Sequence, residues 1–62
     1  MNNAEAAGYA LMALNKLLLE REMMPTERKK FLWEMDKMLS KMFDSYEEEV
    51  AEANGWRLLS NE

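Results

Sequence analysis

Apolar side chains recur every three or four residues through two long stretches of the chain, and no segment alternates with period two over a useful length. In the first stretch, Ala7, Ala10, Leu11, Leu14, Leu17 and Leu18 fall on one face at 100° per residue. Good helix formers dominate it, and Asn2 or Asn3 can cap its start by accepting a free first-turn N–H. The pattern predicts helix one over about residues 4–23. Its opposite side is not cleanly polar, because Tyr9, Met12, Leu19 and Met23 are interleaved with Glu5, Lys16 and Glu20. A helix apolar on two sides is expected to be covered on two sides.

Pro25 is the one strong internal breaker. Beyond it, Thr26 reads as an N-cap, and Glu27 suits a positive helix start. Phe31, Leu32, Met35, Met38, Leu39, Met42, Phe43, Tyr46, Val50 and Ala53 then form one broad stripe. Asn54-Gly55 reads as a stop, because glycine accepts the left-handed conformation that ends many helices. Helix two is therefore expected over about 26–54, with residues 55–62 as a tail. The fold class is all-α, a single domain over 1–62 built as a two-helix antiparallel hairpin. At 1.5 Å per residue the helices would be about 30 and 40 Å long. The overhang of helix two, near Tyr46 and Val50, needs a cover: either the tail around Trp56, Leu58 and Leu59, or a second copy of the chain.

Composition sharpens that need. Sixty-two residues make a small domain whose own core is marginal, and such folds usually add a disulfide, a metal or a second subunit. The chain has no cysteine and no histidine, which removes disulfides, thiolate metal sites, the commonest general base and the commonest transition-metal ligand. A homodimer forming a four-helix bundle is the expected remedy. The net charge of −4 disfavours a general nucleic-acid binder and docking on an anionic membrane. The longest apolar run, Ala6 to Leu14, is too short to span a bilayer, and no basic region precedes it as in a signal peptide. A cytoplasmic location is expected.

Charge order points the same way. Arg28, Lys29 and Lys30 crowd the start of the expected second helix, and Asp44, Glu47, Glu48, Glu49 and Glu52 crowd its end. Both placements oppose the helix macrodipole. An antiparallel second copy would set one chain's acidic end beside the other's basic start, so Arg28, Lys29, Lys30, Glu47, Glu48 and Glu52 are charge-complementary candidates. The plainer reading is a solvated surface, since exposed ion pairs contribute little.

Few residues suggest chemistry. Asp44, Glu48 and Glu52 share a helical face, but a calcium site needs a wrapping loop and a di-iron site needs histidine, so no metal and no cofactor is assigned. No hydroxyl has a base beside it in a triad-like arrangement, no glycine-rich phosphate loop is present, and no catalytic residue is assigned: an enzyme is not expected. Trp33 stands among Thr26, Lys29, Lys30, Asp36, Lys37 and Ser40, where it could anchor a protein partner, stack on a base, or simply pack on lysine stems. The seven methionines follow the apolar stripes and read first as core filler, with an adaptable binding face as the other reading.

The expected function is a small non-enzymatic interaction or regulatory module that acts as a homodimer and binds a further protein. Tyr9, Met12, Leu19, Met23, Trp33, Tyr46, Val50 and Trp56 are its interface candidates. In size and hairpin layout the chain resembles the plasmid-copy-control Rop family, which pairs two helical hairpins and binds RNA. That resemblance, which carries no shared motif and no functional residue, implies a nucleic-acid-binding dimer as the alternative. A third reading is an acidic decoy whose carboxylates occupy a basic groove on a partner.

Overall fold

A computed structural model describes residues 1–60 and is all-helical, with three helices rather than two: α1 (Asn3–Glu20), α2 (Pro25–Ser45) and α3 (Glu48–Ser60). Both ends of α1 are closed by local hydrogen bonds. The Glu5 N–H donates to Asn2 Oδ1 at 2.8 Å, and the Asn2 N–H donates to Glu5 Oε1 at 3.1 Å, a reciprocal capping box. At the other end the Met23 N–H reaches the Leu18 carbonyl at 3.1 Å, and the Glu22 N–H reaches the Leu19 carbonyl at 2.9 Å. This is a Schellman turn, and it ends α1 three residues earlier than the hydrophobic pattern suggests. Glu22 takes the left-handed position, with φ 60°. That conformation costs an L-residue about 1–2 kcal/mol. Met23, half-buried, and Leu18 sit at the two positions whose apolar contact accompanies such turns.

The start of α2 corrects the expected cap. Met24, not Thr26, occupies the N-cap with extended backbone, and Pro25 is the first helical residue. Proline's fixed φ suits that position, and its missing N–H is one that a helix start leaves unpaired anyway. Arg28 ties the connection together: its Nη1 donates to the Met23 carbonyl at 2.9 Å.

The larger correction is at the far end. The expected helix over 26–54 is broken at Tyr46, whose φ of −130° and ψ of 140° are extended. Helix α3 then runs through Asn54-Gly55 to Ser60, so the expected tail is the second half of a helix; residues 61 and 62 lie outside the described residues. Two physical reasons account for this. Asp44 and Ser45 are weak helix formers that favour helix boundaries, and Glu48 and Glu49 in the first turn of α3 complement its positive end. Gly55 does not adopt positive φ, and a glycine that is free to end a helix is also free to continue one.

The broken helix also changes the charge argument. Glu47, Glu48 and Glu49 do not oppose the dipole of one long helix; they precede or open a new one, and Arg57 lies in its last turn. Glu48 and Glu49 are thus matched to a local helix start, whereas Asp44, in the last turn of α2, still opposes its dipole.

Helices α1 and α2 pack against each other. Asn3 and Ala6 lie beside Leu39, Met42 and Phe43, while Leu11 and Asn15 lie beside Leu32 and Asp36. Ala7, Leu11, Leu14 and Leu18 of α1 and Leu32, Met35, Leu39 and Phe43 of α2 are apolar positions that the packing buries or half-buries. Leu18, 7% exposed, is the one buried residue among those described, and none is fully buried. Helix α3 makes almost no contact with either. The molecule measures 34 × 29 × 17 Å, its thinnest dimension about one and a half helix diameters of about 10–12 Å. Folded domains normally stack two layers around a core, and this chain supplies one. Its accessible surface is 5605 Å², whereas roughly 4,200 Å² is usual for a folded monomer of 7.3 kDa.

Candidate functional site

Two open grooves flank the α1·α2 seam, one on each broad face. The first, of about 500 Å³, is lined by Leu11, Met12 and Asn15 from α1 and Lys29, Leu32, Trp33 and Asp36 from α2. Met12 and Trp33 protrude beside it, 74% and 61% exposed. Leu19 falls two turns after Met12 on nearly the same side of α1, and Tyr9 falls one turn before it; both are exposed. Of the expected interface residues, the structure brings Met12 and Trp33 together at this groove, with Leu19 and Tyr9 exposed further round α1.

The second groove is larger, about 1070 Å³, and runs between the start of α1, the last half of α2 and the first turn of α3. Met35, Met38, Met42 and Phe43 form its floor. Asp44, Glu47, Glu48 and Glu49 line its end beside Tyr46, and no lysine or arginine lines it. The extended Tyr46 makes this arrangement: by ending α2 there, it turns the glutamates of α3 toward the end of the methionine row rather than continuing a straight rod.

The remaining candidates are dispersed. Val50 and Trp56 are exposed on α3 outside both grooves, and Met23 is engaged in the Schellman turn. The expected tail cover over Tyr46 and Val50 is absent, for both are nearly half exposed and Leu58 and Leu59 point into solvent. Arg28 is held by the Met23 carbonyl, and its Nε is buried without a partner. Lys29 lines the Trp33 groove, Lys30 is exposed, and Glu52 is exposed on α3. Lys30 and Asp44 are separated by about 21 Å along α2, so the basic and acidic clusters do not meet within the chain.

The methionine row corrects the core-filler reading. Met12, Met24, Met38 and Met42 are exposed, and Met23 and Met35 are half-buried. Helix α1 covers the Leu32, Leu39 and Phe43 line of α2 and leaves the neighbouring line of Phe31, Met38 and Met42 open. The two lines are offset by roughly a quarter-turn of the helix, and the sequence pattern merges them into one broad stripe.

Among the described residues no cluster of three or more potential ligands could hold a metal ion. None of the helices is long and apolar enough to cross a membrane. No family model, curated protein or solved structure matches the chain.

Proposed function

We propose that the chain is a small non-enzymatic interaction module that acts as a homodimer, two α1·α2 pairs closing over their Met12–Trp33 faces into a four-helix core with α3 outside. One observation carries this reading: the accessible surface of 5605 Å² exceeds the roughly 4,200 Å² of a compact monomer by an amount larger than the ~800 Å² that each partner contributes to a standard interface. Large apolar side chains, Met12 and Trp33 among them, are exposed on the α1·α2 pair, and water is a poor partner for them. Tryptophan at the centre of such a face is the residue type that most often dominates association. The nucleic-acid alternative has less support, since Asp36 shares the Trp33 groove with Lys29 and carboxylates line the other. The decoy reading is weakened because the same glutamates flank an apolar floor instead of forming a continuous polar face.

Sedimentation equilibrium tests the proposal. The chain is expected to dimerise at micromolar concentration, and Trp33→Ala to weaken the dimer by about 2 kcal/mol, roughly thirtyfold. A stable monomer at those concentrations overturns it.

A further inference from the structure

We propose that the methionine-floored groove between α2 and the start of α3 docks a basic amphipathic helix of a partner protein. The floor is Met35, Met38, Met42 and Phe43, and methionine is the side chain best able to reshape around varied apolar contacts, because it is unbranched and polarisable. The end of the groove is anionic through Asp44, Glu47, Glu48 and Glu49, four carboxylates against one cationic group among its lining residues, the Met1 α-ammonium. A helix with an apolar face and flanking lysines or arginines satisfies both features at once. An anionic lipid surface or a nucleic acid would meet the same carboxylates as repulsion. The groove, about 1070 Å³, is open to solvent, whereas small-molecule pockets enclose most of the ligand's surface. It lies across the seam from the Met12–Trp33 face, so dimerisation through that face leaves it free.

The inference rests on the protein-binding part of the proposed function, and a methionine-methyl NMR titration separates the two. The probe is a synthetic leucine–lysine peptide patterned as a basic amphipathic helix, set against a leucine–glutamate peptide of the same pattern. The methyl signals of Met35, Met38 and Met42 are expected to shift saturably with the lysine peptide, while Met12 and Met24 stay in place and the glutamate peptide has no effect. Combined Glu47→Gln, Glu48→Gln and Glu49→Gln substitution should weaken binding about tenfold with the helical circular dichroism retained. Raising the salt on the unaltered chain should weaken it in the same direction, whether or not that variant folds. No saturable shift, equal binding of both peptides, or a response at Met12 alone overturns the site. Shifts at Met35, Met38 and Met42 driven by chain concentration alone would make a second copy the occupant and overturn it equally. A chain that sediments as a monomer yet binds the lysine peptide sinks the dimer and leaves this site standing; a dimer that ignores the peptide does the reverse.

Discussion

Helices α1 and α2 on one side, and α3 on the other, are held by different forces. The first two share a seam whose most buried residue, Leu18, lies at its loop end, and their connection is tied by the Schellman turn and by Arg28. Helix α3 has 13 residues and almost no tertiary contact. An isolated helix shorter than about 12–15 residues is marginal in water. What favours α3 is local: glutamates in its first turn and Arg57 in its last, both matched to its dipole. The α1·α2 pair has the opposite balance, with a dipole-mismatched basic cluster after Glu27 offset by burial. The contrast teaches that in a one-layer protein helices can coexist for unrelated reasons, and each can be perturbed without the other.

Three substitutions would sharpen or break that division. Leu18→Ala is expected to have the largest effect, a loss of about 2 kcal/mol read from thermal or urea unfolding of the pair. If it leaves the transition unmoved, Leu18 is not the anchor of the seam. Glu22→Gly comes next and acts in the other direction. It relieves the left-handed strain at φ 60° and should raise stability by about 0.5–1 kcal/mol in the same measurement, the gain being trimmed by the looser unfolded chain. The smallest effect on the pair is expected from Gly55→Ala. A Cβ there meets nothing within 4 Å, so the change should add helicity to α3 and slow its amide exchange while the melting of α1·α2 stays put. A shift of the whole transition would show that α3 is coupled to the pair after all.

The two grooves repeat the lesson at the level of surfaces. The Met12–Trp33 face is built wholly by the packed pair, so its geometry depends on the seam. The methionine groove needs the break at Tyr46 as well, because Glu48 and Glu49 belong to α3.

Much of this was readable from residue order, and the misreadings have identifiable causes. Ala7, Leu11, Leu14 and Leu18 announce the buried side of α1 because helical geometry alone puts them together. Asn2 with Glu5 announces the start, since a capping box is complete within four residues. Asp44-Ser45 ahead of three glutamates carries a boundary signal as well, but a continuous apolar stripe through Tyr46 and Val50 conceals it. Gly55 is a permissive residue whose meaning depends on the backbone around it, and here it continues a helix instead of ending one.

Residue order by itself determined that this chain is helical, where α1 begins, and that its apolar surface is larger than one helix pair can hide. Those properties follow from spacing and propensity over a few residues, which a linear reading contains. Only the tertiary structure decided which of two adjacent stripes on α2 faces α1, that Tyr46 breaks the rod, and that the exposed methionines end beside glutamates. Each of these depends on where a second helix lies, and a choice between stripes offset by a fraction of a turn is made by packing across space.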